Sequence, residues 1–148
     1  MTLKVSIKPK EYSHALRNPL KGFRPRNRNG KHEYGTLCRV YMKWNDLERN
    51  EKDGLDRIIN TCNLAWNKVE QYNIKVIPRV YLHWDGDKKY WPSDLKTDDY
   101  TSTQFQKRVL RLIHHLGKCW DNDSRIAWIQ MGIIGKWGEH HSPRAISF

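Results

Sequence analysis

From residue 36 onward, apolar and polar positions along the chain alternate between two periods. Residues 36 to 44, Thr-Leu-Cys-Arg-Val-Tyr-Met-Lys-Trp, are rich in β-branched and aromatic side chains and are bounded by Gly35 and Asn45-Asp46. They predict a strand. Leu55, Ile58, Ile59, Cys62, Ala65, Trp66 and Val69 then recur at helical spacing, which predicts a helix from Leu55 to Tyr72 with Asp53 as N-cap. A second strand is expected over residues 75 to 84 and a polar loop over Asp85 to Tyr100. A second helix is expected over Thr103 to Trp120, with Thr101 and Gln104 as a capping box, and a last strand over Arg125 to Ile133. Before this regular region, Val5 and Ile7 suggest one short strand, and residues 18 to 35 read as a Gly-, Pro- and Asn-rich entry loop holding a very short strand at Lys21 to Arg24.

Strand, helix, strand, helix, strand is the order of parallel strands joined by crossover helices, an α/β class. An internal echo narrows it. Arg39-Val40-Tyr41-Met42-Lys43-Trp44-Asn45 returns as Arg79-Val80-Tyr81-Leu82-His83-Trp84-Asp85, marking two equivalent βα units. Side chains alternate across a strand, so Arg39, Tyr41 and Lys43 share one face, as do Arg79, Tyr81 and His83; Val40, Met42, Val80 and Leu82 take the other. Strands of open parallel sheets are normally apolar on both faces. A polar face suits a barrel lumen, so the expected fold is a partial (β/α)8 TIM barrel, roughly strands 1 to 4 with their helices. Residues 1–17 are an N-terminal extension or short strand, and 18–148 the N-terminal half of the barrel.

Reactive groups of such barrels lie where the strands end. Those ends carry Lys43, Trp44, Asn45 and Asp46, then His83, Trp84, Asp85 and Asp87, then Trp137, Gly138, Glu139, His140 and His141. Three Trp beside carboxylates suit a sugar cleft, with indole faces for pyranose rings and acids for hydroxyls; filling of the barrel ends is the plainer alternative for each Trp. Glu139 stands out because it follows a glycine-rich strand end with Trp137 and His140 beside it, positions from which either neighbour would raise or orient a carboxyl. Glycoside hydrolysis uses two carboxyl groups. The adjacent pair His140-His141 has no third ligand at metal spacing, so neither a metal nor a cofactor is expected.

Composition changes this picture little. The formal charge is +11, from 27 basic and 16 acidic residues, and Lys21, Arg24, Arg26, Arg28 and Lys31 form the one dense basic cluster. Charge of that kind suits an anionic partner, but no helix-turn-helix, zinc or RNA-binding signature accompanies it. Cys38, Cys62 and Cys119 read as small core hydrophobes. Met1 to Lys10 has no apolar core of signal-peptide length, and no transmembrane run exists.

Asn18-Pro19-Leu20-Lys21-Gly22-Phe23, Arg39-Val40-Tyr41, Ile77-Pro78-Arg79-Val80-Tyr81 and Gly132-Ile133-Ile134-Gly135-Lys136-Trp137-Gly138-Glu139-His140 together resemble the N-terminal region of an uncharacterised bacterial barrel family similar to clan A glycoside hydrolases, β-galactosidase-like. The resemblance implies that Lys21 to Arg24 is the first barrel strand and that the runs at 36, 75 and 125 are the second, third and fourth. It places Glu139 as general acid/base of a retaining mechanism, with Arg39 in a supporting position. Arg39, Tyr41, Trp44, Arg79, Tyr81, His83, Trp84, Trp137 and His140 are the expected carbohydrate contacts. Where the clan has Asn before that glutamate, Gly138 stands here. The nucleophile is expected beyond Phe148, the isolated chain is expected to be inactive, and exposed barrel edges are expected to favour self-association. Members of the resembled family are often exported, so the compartment stays open. A non-catalytic carbohydrate-binding barrel and a basic nucleic-acid-binding module are the alternative functions.

Overall fold

The computed structural model describes residues 3–13, 20, 35–85, 88–97 and 99–141. The strand expected at Lys21 to Arg24 and the basic cluster lie outside them. Residues 3–13 form no strand, and Val5 and Ile7 are exposed there, correcting the expectation of one. The regular elements are β1 (Leu37–Lys43), α1 (Trp44–Leu47), α2 (Leu55–Ala65), a 3-10 turn (Glu70–Tyr72), β2 (Lys75–Tyr81) and α3 (Thr103–Trp120). This is a mixed α/β structure with a small parallel sheet. β1 pairs with β2 in register, Leu37 opposite Lys75 and Lys43 opposite Tyr81.

Alternation within the strands sorts the faces as the sequence predicts. Cys38, Val40, Met42, Val76, Val80 and Leu82 are buried, while Arg39, Tyr41, Lys43 and Arg79 remain half-exposed. The buried face packs under α2 and α3 through Ile58, Cys62, Trp66, Leu112, Leu116 and Trp120. Burying each of these large side chains contributes roughly 1.5–3 kcal/mol. The three cysteines are free thiols. Trp120 donates its indole N–H to the Cys62 sulfur at 3.2 Å, and burial pushes the Cys62 thiol up to about 12.

α2 is shorter than predicted. It ends at Ala65, and the chain turns through Lys68 and Asn73, both in the left-handed region. This turn seats Trp66 and Val69 fully in the core, where a continued helix would carry them round a cylinder. The N-cap of α2 is Gly54, since the Asp53 carboxylate accepts instead from the Arg49 amide at 2.6 Å. At α3 the cap is Ser102, whose hydroxyl accepts from the Phe105 amide at 3.1 Å; Thr101 and Gln104 bond elsewhere, to Asp99 and Asp94.

The predicted strand at Arg125 to Ile133 is an extended run beside β2 rather than a regular strand. Val76 donates to Arg125 and accepts from Ala127, after which Gln130 donates to Pro78 and Ile133 to Val80. Between those last bonds the outer segment advances three residues for every two of β2. The cause is local. Pro78 falls on the side of β2 that faces this segment and has no N–H to give. Gly132 adds a close approach, as a Cβ there would lie 2.2 Å from the Val80 carbonyl oxygen.

Glu48, just after α1, ties β1 to α3. It is fully buried and accepts from Trp44 Nε1 (3.2 Å), Arg108 (3.3 Å) and Arg111 (3.0 Å), with His115 Nδ1 at 2.9 Å. Asp94 pairs with the far side of the Arg108 guanidinium at 2.8 Å. No helix of the described residues is long and apolar enough to cross a membrane.

Candidate functional site

The half-exposed face of β1 and β2 continues into the loops that follow them. Arg79 stands opposite Tyr41 in the register, and the two guanidinium groups of Arg39 and Arg79 lie 4.5 and 5.4 Å from the Tyr41 ring centre. Tyr41 meets Trp84 edge-on at 5.2 Å and Tyr81 at 6.1 Å. Trp84 reaches Tyr81 at 4.9 Å and Trp137 at 6.2 Å. Four aromatic rings from three consecutive parallel segments thus form one connected group.

Glu139 joins it. Arg79 donates to Glu139 Oε1 at 2.6 Å, and the Tyr41 hydroxyl donates to the same oxygen at 3.1 Å. The Arg79 hydrogen bond holds the Glu139 carboxyl below its ordinary value; the Tyr41 bond and the charges of Arg79 and Arg39 act in the same direction, against partial desolvation. Of the two roles expected for Trp137 and His140, raising the carboxyl or orienting it, the first is not seen, since the shift is downward and comes from Arg79, Tyr41 and Arg39. Lys136 pairs with Asp85 at 2.8 Å and lies 4.7 Å over the Trp137 ring.

The loop that carries Glu139 is wound through left-handed backbone. Ile133, Gly135, Trp137, Gly138 and His140 all have φ between 57° and 75°. For a β-branched residue such as Ile133 this is a rarely populated region. Hydrogen bonds hold it there: the Tyr100 hydroxyl donates to the Ile133 carbonyl and accepts from the Gly135 amide, and Trp137 N–H donates to the His83 carbonyl at 2.9 Å. Gly138 has a steric reason to be glycine. A Cβ would stand 2.7 Å from the Val80 carbonyl oxygen.

Of the expected contacts, Arg39, Tyr41, Arg79, Tyr81, Trp84, Trp137 and Glu139 come together, with Tyr81 buried as the floor of the aromatic group. Three do not. Trp44 is wholly buried, since the chain turns into α1 at that residue and points the indole at Phe105 and Glu48. His83 is buried edge-on to Trp91 at 5.3 Å. His140 lines an apolar groove beside α3 instead, with Leu110, Ile113, Ile129 and Met131. Of two further residues of the neighbourhood, Tyr90 was not singled out and His141 was named at the strand end but not among the sugar contacts. Tyr90 packs on Tyr81 at 5.3 Å from a loop with no periodic signal, and His141 lies 5.5 Å from Trp137 and 3.9 Å from Glu139 Oε2. Among the described residues no group of three or more His, Cys, Asp or Glu is placed to hold a metal.

No family model matches the chain, and no curated protein does. Among solved structures, the exo-beta-1,4-mannosidase Op5Man5 from Opitutaceae bacterium strain TAV5 is similar at a TM-score of 0.47 and 12% identity. The match covers 64% of this chain and 17% of that enzyme, so the chain spans less than a fifth of its length. At that identity and TM-score the likeness fixes neither fold nor activity.

Proposed function

We propose that the chain carries the carbohydrate site of a partial (β/α) barrel of glycoside hydrolase-like type, with Glu139 as its candidate general acid/base. One observation carries this reading: Tyr41, Tyr81, Trp84 and Trp137 form a continuous aromatic group that Glu139 joins through the Tyr41 hydroxyl, at three consecutive parallel segments. Indole faces bind the apolar CH faces of a pyranose, while carboxylate and guanidinium groups bind its hydroxyls. The placement of both crossover helices against one face of the sheet, with the polar group on the other, supports a barrel wall.

Acid catalysis requires a proton on Glu139, and the Arg79 bond disfavours one. In the acid role a bound glycosidic oxygen has to displace that contact. The ionised state favours a second reading, a site that binds sugars through Glu139 as hydrogen-bond acceptor without hydrolysing them. The nucleic-acid alternative rests on the Lys21 to Lys31 cluster, outside the described residues.

The test is a titration of the purified chain with neutral manno-, gluco- and galacto-oligosaccharides, followed by tryptophan fluorescence and NMR. Saturable shifts that Trp137→Ala and Trp84→Ala abolish are the expected result. A folded chain that shows no saturable change with any of them overturns the proposal.

A further inference from the structure

Two successive cross-strand pairs on the polar face of the sheet are each spanned by one side chain from a later loop. Tyr41 and Arg79 stand opposite in the register, and Glu139 accepts from both. Lys43 and Tyr81 form the next pair towards the strand ends, and Tyr90 lies against both. Its ring centre is 5.3 Å from that of Tyr81 and 5.3 Å from Lys43 Nζ. Same-face positions repeat about every 7 Å along a strand, a spacing of the order of one sugar residue in a chain. The backbone pins Tyr90 where it is. Its N–H donates to the Leu82 carbonyl at 3.2 Å and its carbonyl accepts from the Asn45 N–H at 3.0 Å, so the segments just past β1 and β2 both hold it. The residue nevertheless stays half-exposed. Lys43 makes no ion pair among the described residues, whereas Arg79 has Glu139 and Lys136 has Asp85.

We propose, resting on the carbohydrate reading of this site, that it takes a neutral oligosaccharide rather than a single sugar, with Tyr90 and Lys43 forming a second sugar position beyond the one at Glu139 and Trp137. Tyr90 supplies an apolar ring for the CH face of the second pyranose, and the Lys43 ammonium supplies three N–H donors for its hydroxyls. One aromatic surface joins the two positions, because Trp84 touches Trp137 at 6.2 Å and Tyr81 at 4.9 Å, and Tyr81 carries Tyr90. Among the described residues Tyr90 meets no aromatic ring other than Tyr81, so a sugar against Tyr90 and a sugar beside Glu139 occupy different places. A tyrosine on a pinned backbone loses little freedom when a ligand arrives, which favours binding there.

The experiment titrates the purified chain calorimetrically with mannose, glucose and galactose and with the β-1,4-linked di- and trisaccharide of each. In a series that binds, the trisaccharide is expected to bind about tenfold more tightly than the monosaccharide, the gain from one further ring contact and one further hydrogen bond. That ratio should fall towards one in Tyr90→Ala, fall about threefold in Lys43→Met, and survive in Tyr90→Phe, which keeps the ring. Trp137→Ala should instead weaken every sugar of the series. Circular dichroism of each variant establishes that it is folded, and Lys43→Met decides the matter if Tyr90→Ala, which uncovers Tyr81, unfolds. Equal affinity for mono- and trisaccharide, or a ratio that the folded variants at Tyr90 and Lys43 leave unchanged, overturns the second position and leaves a single-sugar site standing. Failure of a folded chain to bind any of these sugars overturns both.

Discussion

Gly138, immediately before Glu139, has a backbone reason to be glycine. Its φ is +63°, and an added Cβ would meet the Val80 carbonyl oxygen at 2.7 Å and Gly132 Cα at 3.2 Å. Both contacts are to backbone, which has little room to yield. Gly138→Ala should therefore cost about 1–3 kcal/mol in denaturant unfolding, and Gly138→Asn should not be the milder change despite asparagine's tolerance of left-handed φ. If Gly138→Asn unfolds at the parent's denaturant midpoint, the described approach to β2 is wrong. Glu139 offers a second test at this scale. Because its carboxyl is held low mainly by Arg79, the stabilisation from ionising it is fully present above the ordinary carboxyl range and disappears as pH falls through the lowered native value. Arg79→Ala should move the Glu139 titration, followed by carboxyl NMR, back up towards that range. An unmoved titration would show that Tyr41 and Arg39 suffice.

At the scale of elements, β1, β2 and α3 were legible because their patterns are strong and uninterrupted; α3 spans the very residues its apolar stripe predicts. The third extended segment was misread as regular because its own residues look like a strand. The disruption is written in its neighbour, at Pro78, on the side of β2 that periodicity alone does not assign. Trp44 was misread for a similar reason, since Arg39 to Trp44 echoes Arg79 to Trp84, with Met42 for Leu82 and Lys43 for His83, and suggested an equivalent position. In the structure Trp84 continues onto the open face, whereas Trp44 starts a helical turn. What fixes that turn lies far along the chain, where Arg108 and Arg111 of α3 meet Glu48. Such a contact has no local signal. Glu48→Ala should cost roughly 3–5 kcal/mol, because it strands an Arg108 side chain that is 5% exposed with Asp94 as its remaining partner. Thermal unfolding measures it, and a loss below about 1 kcal/mol, the range of exposed pairs, would mean that water reaches the cluster.

For the whole molecule, the sheet divides labour between its faces. One carries the apolar core under α2 and α3, and the other carries the aromatic group, two arginines and Glu139. The second face was legible as distinct from the first because Arg39, Tyr41, Lys43 and Arg79 recur at alternate strand positions. Its inner order was not: that Arg79 rather than Arg39 holds Glu139, and that His141 rather than His140 lies beside it, depends on a loop of left-handed residues that no periodicity describes. Binding and turnover place different demands on this face. On the proposed carbohydrate reading, binding draws on the rings and hydrogen-bonding groups of this face. Hydrolysis needs two carboxyl groups on opposite sides of the scissile bond, one of them protonated, and Glu139 is one carboxylate, ionised and paired with Arg79. The purified chain should therefore leave aryl glycosides intact at neutral pH over a day's incubation while still responding to sugar in a fluorescence titration. Turnover that Glu139→Gln abolishes would show instead that the chain assembles a complete catalytic pair, and that the Arg79 contact yields when substrate arrives.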